Sequence, residues 1–278
     1  MTEQRLIAKT PEPRTRQSLA RDLLRLGLGR GDLVLLHSSL RSLGWVVGGA
    51  PAVVLALLDA LGPAGTLVVP TQTGDNSDPK DWSRPPVPET WWPLIRAAMP
   101  AYDPAITPTR GMGRIPEAVR TWPGARRSAH PQVSFAALGP LAAELTASHP
   151  LDDGLGEQSP LGLLYRLEAK VLLLGVGYDS ATAIHLAEYR QTGMPRGTFG
   201  AAATLEGERR WITCSDVDHL DSDELFPALG KAYEQQHLVL RGKVGSAAAR
   251  LLPMRDLVDF AVPWIARHLA SQASAGGT

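Results

Sequence analysis

The chain has 278 residues, with 28 basic and 28 acidic side chains, a formal charge of zero and 44% hydrophobic residues. Charged residues make up 20%, below the usual share of about 25%, which argues against disorder; the balanced charge argues against nucleic acid as the main partner, because that binding rests on many Lys and Arg contacts to phosphate. A single cysteine, Cys214, excludes an intrachain disulfide and a Cys-rich zinc site, and the lack of a signal-like apolar N-terminus or a long apolar run predicts a cytoplasmic protein with no membrane contact.

In chain order, residues 1–14 are expected to fray. Residues 16–26 read as an amphipathic helix. The run LVLL at 33–36 follows the turn-like Gly31-Asp32 and reads as a buried strand. Residues 52–61 read as a helix with Pro51 in its first turn, and TLVV at 66–69 reads as a second buried strand. Residues 75–131 are rich in proline and carry Trp82, Trp91, Trp92 and Trp122. A disordered linker is poor in aromatics, so this stretch is predicted to be an ordered excursion bordering a cleft. VLLL at 171–174 gives a third strand. A helix follows at 182–190, with Ser180 or Thr182 as its cap. Residues 257–269 give a late helix that Pro263 is expected to kink or divide, and 271–278 are expected to fray. The expectation is a single α/β domain over 1–278: a central mixed sheet flanked by helices, with the Pro/Trp-rich loop excursion lining the cleft.

Three constellations can carry chemistry. The first is the turn His37-Ser38-Ser39-Leu40-Arg41-Ser42, followed by Val47, Gly48 and the helix. A strand that ends in a Ser/Gly-rich turn and enters a helix N-terminus offers free N–H groups to an anion. Neither the Walker spacing nor the dinucleotide fingerprint fits, and an ordinary strand–helix turn explains the residues equally well. The second is His185 with Glu188, three apart on one helix face, where the carboxylate can orient the imidazole; a surface pair is the plainer reading. The third is Asp216-Val217-Asp218-His219 in an acidic stretch that runs on to Asp221, Asp223 and Glu224. That stretch also reads as a solvated loop or the start of a helix. No tight His/Asp spacing supports a metal, and none is expected.

The same segments resemble the aminoglycoside 3-N-acetyltransferase family over nearly the whole chain. They are HSSLRSLGWVVGGA from His37, LLDALGPAGTLVVPTQTGDNSDP from Leu57, TRGMGRIPEA from Thr109 and RSAHPQVSFAALGP from Arg127, then SPLGLLYRL from Ser159, KVLLLGVGYDSATAIHLAEYR from Lys170 and KVGSAAARLLPMRDLVDFA from Lys243. The resemblance implies an acetyl-CoA-dependent N-acetyltransferase that modifies the 3-N amine of an aminoglycoside-type antibiotic, a small cationic substrate. Direct transfer in a ternary complex is expected, and a homodimer is compatible with it. His185 is implied as general base with Glu188 beside it, and Asp216 and Asp218 as residues that orient the base or bind substrate ammonium. The turn from His37 to Ser42, with Val47 and Gly48, is implied to bind acetyl-CoA, and the Ser38 and Ser39 amides are expected to hold the oxyanion. Asp75, Asp78, Asp218 and His219 are expected at the substrate, with Asp81, Asp152, Asp153 and Glu157 as further carboxylates. One departure is Ala181, where the family often has Asn.

Competing readings are acyl transfer to a different amine or a biosynthetic substrate, a Cys-dependent route through an acyl-Cys214 enzyme, and a small-molecule binder without turnover.

Overall fold

In a computed structural model, the described residues are 2–83 and 85–275. The helices are α1 (Glu3–Ala8), α2 (Arg16–Leu26), α3 (Gly49–Leu61), α4 (Trp92–Ala98), α5 (Arg114–Arg120), α6 (Ala142–Leu145), α7 (Pro160–Arg166), α8 (His185–Tyr189), α9 (Ser222–Tyr233) and α10 (Met254–Ala275). The strands are β1 (Leu33–Ser38), β2 (Thr66–Pro70), β3 (Arg126–Arg127), β4 (Phe135–Leu138), β5 (Lys170–Leu174), β6 (Arg196–Leu205), β7 (Glu208–Val217), β8 (Leu240–Val244) and β9 (Ala247–Pro253). Seven strands form one mixed sheet in the order β3-β4-β2-β1-β5-β9-β8, and β6 and β7 pair as a separate ribbon.

The three apolar runs are the parallel centre of the sheet. β1 pairs with β2 from Leu33↔Thr66 and with β5 up to Ser38↔Leu174. These strands are apolar at nearly every position because both faces are covered. Leu33 and Leu35 point into a core shared with α7, α9 and α10, while Val34 and Leu36 point into a second core shared with α2 and α3. Because β1 is central and parallel to both neighbours, the loops leaving β1, β2 and β5 open a crevice at their C-terminal ends, where such sheets bind ligands.

The local chemistry explains the elements that were foreseen. Helix α2 starts on a capping box, with Thr15 and Ser18 each accepting from the other's N–H, and ends on Gly27 in the left-handed region at φ 109°. Several expectations are corrected. Residues 2–14 are tied to the body of the fold: Trp45 donates its indole N–H to Glu3 (3.2 Å) and its backbone N–H to Thr10 Oγ1 (2.9 Å), and Arg14 bridges Val46. Pro263 does not divide the last helix, because Leu257, Val258, Ala261 and Ile265 anchor it in the core and outweigh one lost ladder bond. Helix α10 also runs past residue 271 to Ala275; residues 276–278 lie outside the described residues. The 182–190 segment is a 3-10 turn (Thr182–Ile184) leading into the short α8, and neither Ser180 nor Thr182 caps it.

The Pro/Trp-rich excursion is ordered by the ribbon. Asn76 Nδ2 donates to Ala202 O and Asn76 Oδ1 accepts from Ala202 N–H, both at 2.9 Å, so one side chain stands in for a strand neighbour. Tyr102 N–H adds a bond to the same carbonyl (2.9 Å). The tryptophans do not border the cleft: Trp82 lines a separate depression with Asp75 and Arg110, and Trp91 is 56% exposed. The excursion's contribution to the cleft is Gly111, Met112 and Pro116.

Candidate active site

The crevice at the strand ends is a cleft of about 370 Å³. Ser38 and Pro70 close β1 and β2 at its floor, Val176 enters from the loop after β5, and His185 reaches it from α8.

His185 donates through Nδ1 to Glu188 Oε2 at 2.9 Å, so the i, i+3 pair read from the sequence forms. The structure adds a third member. His219 Nδ1 meets the same Oε2 at 2.6 Å, and Leu220 N–H donates to Oε1 at 3.2 Å. Glu188 is fully buried, and the two imidazoles lie 4.4 Å apart, with Phe226 edge-on to His185 at 5.0 Å. Burial raises the cost of the Glu188 charge, yet hydrogen bonds and charge from both histidines hold its carboxyl below the usual range. Burial likewise pushes the His185 imidazole below its ordinary value, against the opposing hydrogen bond from Glu188. A neutral imidazole with Nδ1–H committed to a carboxylate leaves Nε2 as a proton acceptor. The three side chains also lie close enough to hold a cation, with candidate ligand atoms within 4.8 Å of one another. The Nδ1···Oε2 separations are hydrogen-bond lengths, and a metal there would displace both protons.

His37, at the end of β1, also lines the cleft; it is 4% exposed, and burial followed by the proximity of His185 pushes its imidazole down to about 3. The turn after it is built differently from the expectation. Ser39 N–H donates to Leu174 O (2.9 Å), extending the parallel ladder, so that amide is not available to an oxyanion. Ser42 Oγ ties the turn to the next loop through Gly175 O and Ser39 Oγ, both at 3.0 Å. Gly175 has φ 73°, and a Cβ there would sit 2.4 Å from Ser42 Cβ, so only glycine permits this approach. Within this turn, the amides left without a partner are those of Leu40 and Arg41, which open the 3-10 turn Leu40–Leu43. Gly48, at φ 80°, is the N-cap of α3 and supplies no side-chain cap. A shallower depression beside that N-terminus is lined by Ala50, Pro51 and Arg114, and Gly111 borders both it and the main cleft. Val47 is 47% exposed.

The other foreseen carboxylates fall elsewhere. Asp216 accepts from Gly154 N–H (2.9 Å) and from Val217 N–H (2.8 Å), and Asp218 is exposed with its N–H on Pro195 O; the carboxylate that orients the histidines is Glu188. Asp78 is buried and matched by Arg96 (2.7 Å), so its charge is already balanced within the fold. Asp75 pairs with Arg110 at 3.1 Å, away from the cleft. Leu151 to Gln158 form a loop in which Asp153 accepts from Gln158 N–H and Glu157 pairs with Arg190. The carboxylates that do line the cleft are Asp179 and Asp223. Asp223 belongs to the acidic stretch singled out in the sequence; Asp179 was missed, although it lies in the loop that follows a strand, where cleft residues gather.

The sequence profile described as aminoglycoside 3-N-acetyltransferase matches residues 35–266. The chain belongs to this family. Among its relatives, the SPbeta prophage-derived aminoglycoside N(3')-acetyltransferase-like protein YokD of Bacillus subtilis is 49% identical over 261 residues, covering 94% of this chain and 95% of that protein. Aminoglycoside N(3)-acetyltransferase VII of Streptomyces paromomycinus is 39% identical over 293 residues, covering 100% of both. The crystal structure of YokD superposes with a TM-score of 0.92 at 48% identity, over 94% of this chain and 97% of that one. AAC-VIa bound to sisomicin matches at TM-score 0.82 and 34% identity, over 91% and 98% of the two chains. AAC-IIIb in a binary complex with CoASH matches at TM-score 0.82 and 31% identity, over 92% and 98%. The family's mixed sheet with flanking helices is the fold described above. Among the described residues, no helix is long and apolar enough to cross a membrane.

Proposed function

We propose that this family member transfers the acetyl group of acetyl-CoA to the 3-N amine of an aminoglycoside-type antibiotic, in a ternary complex with His185 as general base. The observation that carries the reading is His185 at the cleft with Nδ1 held by buried Glu188. The CoASH and sisomicin complexes of the two structural neighbours support the choice of donor and acceptor.

The acceptor arrives as an ammonium and loses one proton to solvent. Its nitrogen lone pair then attacks the thioester carbonyl carbon, forming the C–N bond and moving the carbonyl π electrons onto oxygen. His185 Nε2 takes the second proton from nitrogen, and the imidazolium is stabilised by Glu188. Collapse of the oxyanion breaks the C–S bond, and the imidazolium returns its proton to the CoA thiolate. The pantetheine lies along the turn from His37 to Ser42, and the phosphates lie toward the α3 N-terminus and Arg114, where uncapped amides and a guanidinium favour anions. Asp179 and Asp223 hold the acceptor's ammonium groups. Replacing either by Asn is expected to raise KM for polycationic acceptors by about tenfold, with kcat changed less, because these contacts act on bound substrate throughout.

Cys214 lies in β7, half-buried, and burial, with help from Asp152 and Asp216, pushes its thiol up, which lowers the thiolate fraction. A Cys214→Ala enzyme is expected to keep its turnover, and a chelator such as EDTA to leave the rate unchanged. Loss of activity in a folded Cys214→Ala variant favours an acyl-enzyme, and loss on chelation favours a metal at the His185/Glu188/His219 cluster. The test of the reading as a whole is thiol release from acetyl-CoA with both substrates varied. Intersecting initial-rate lines are expected, and parallel lines overturn the ternary complex.

A further inference from the structure

Thr182, one of the two candidate helix caps in the sequence, caps nothing. The residue is 6% exposed overall, and its side-chain hydroxyl makes no hydrogen bond to another described residue. The oxygen of Thr182 is not sealed inside the protein, in contrast to the orphaned Ser38 Oγ and His37 Nε2, and the residue lines the cleft. Its free hydroxyl is therefore presented to whatever the cleft binds.

Its place in the chain relates it to the base. Thr182 opens the 3-10 turn Thr182–Ile184, whose C-terminal flank is His185. In a 3-10 turn, side chains three apart eclipse. Thr182 and His185 thus stand on one face, both directed at the cleft. Of the neighbouring donors, Ser39 N–H is on Leu174 O and Ser180 Oγ is turned to Asp179 (3.4 Å), while Leu40 and Arg41, whose amides are free, are not among the residues lining the cleft.

We propose that Thr182 is a catalytic residue whose Oγ–H donates to the thioester carbonyl oxygen as it becomes the tetrahedral oxyanion. The assignment rests on the acetyl-transfer reading. When the amine nitrogen bonds to the carbonyl carbon, the displaced π pair resides on the oxygen facing Thr182, while His185 takes the proton from nitrogen. On collapse the C=O bond re-forms, the C–S bond breaks and the hydroxyl keeps its own proton throughout. A donor fixed at the site where charge develops is worth more in the transition state than in the ground state.

The test compares wild type, Thr182→Val, Thr182→Ser and Thr182→Ala by steady-state thiol release, CoA affinity by calorimetry and thermal melting. Thr182→Val keeps the shape and removes the donor. It is expected to fold, to bind CoA as wild type does, and to lose about 10²–10³-fold in kcat, the loss typical of one missing oxyanion donor. Thr182→Ser, which restores the hydroxyl, is expected to recover most of that loss. If Thr182→Val does not fold, Thr182→Ala against Thr182→Ser carries the same comparison. Wild-type kcat in a variant without the hydroxyl overturns the assignment. So does a Thr182→Ser enzyme as slow as Thr182→Val, which points to the methyl group's packing, or a loss confined to acceptor KM, which points to acceptor binding. A wild-type protein that releases no thiol with any amine overturns the acetyl-transfer reading itself, and the assignment falls with it.

Discussion

His185→Gln is expected to fold, to bind CoA normally and to lose acetyl transfer by about 10²–10⁴-fold, the range for a missing general base. The loss falls on kcat, because Nε2 acts only when the proton leaves nitrogen. Raising the pH rescues part of it, since more of the acceptor is then neutral before attack. In the wild type, burial holds the His185 imidazole below its ordinary value, so the fall in kcat/KM caused by protonating the base sets in below the usual imidazole pKa of about 6.5. The control is His219→Gln. His219 shares Glu188 with His185 but is not among the residues bordering the cleft, so its loss loosens the carboxylate and costs less. A dead His219→Gln beside a near-normal His185→Gln reassigns the base.

The second large effect is on stability in acid. His37 and His130 are buried and His149 is largely so, and loss of hydration keeps all three neutral, pushed down to about 3, about 4 and about 3. Geometry fixes their neutral forms for two of the three. His130 Nδ1 accepts from Gln132 N–H and Val133 N–H, both at 3.1 Å, so a proton there would meet two donors. His149 Nε2 donates to Gly154 O (2.6 Å), which leaves Nδ1 to accept from Ser128 Oγ–H (2.8 Å). In the unfolded chain each titrates near about 6.5. Below that value the unfolded state binds more protons than the native state, so stability falls with pH until the folded values are reached. Each histidine contributes a slope of about 1.4 kcal/mol per pH unit, and three give roughly 4 kcal/mol per unit around pH 5, against a typical total of about 5–15 kcal/mol. Denaturant unfolding at a series of pH values from neutral to about pH 5 is expected to show this steep loss, and His149→Gln to flatten it. A flat profile shows that these histidines are charged or solvated in the native protein.

What could be read from the sequence followed from burial and local chemistry. LVLL, TLVV and VLLL are apolar without alternation because each is covered on both faces, and such runs stand out between Gly, Pro and Asp. The His185–Glu188 pair was legible because its partners are one helical turn apart. The third member, His219, was placed at the substrate instead, since it meets Glu188 across 31 positions and only the tertiary fold joins them. The ribbon was missed for another reason. Its strands mix Ala, Gly and Arg with few large apolar residues, so no continuous apolar run marks them. A usable signal was nonetheless present: Glu206 and Gly207 both have positive φ (53° and 82°), and an Xaa-Gly pair between polar-alternating runs marks a tight hairpin. Asp78 was placed at the substrate from its sequence neighbourhood, and its ion pair with Arg96, eighteen positions away, is visible only in the fold.

The measurement that bears most directly on the central claim is product analysis after incubation of the wild-type protein with acetyl-CoA and an aminoglycoside, read by mass spectrometry and NMR. One acetyl group per molecule on the 3-amino nitrogen is expected, with none transferred when that amine is absent from the acceptor and almost none by His185→Gln. An unmodified aminoglycoside after prolonged incubation with folded, CoA-binding protein, or an acetyl group placed only on a different class of amine, contradicts the assignment.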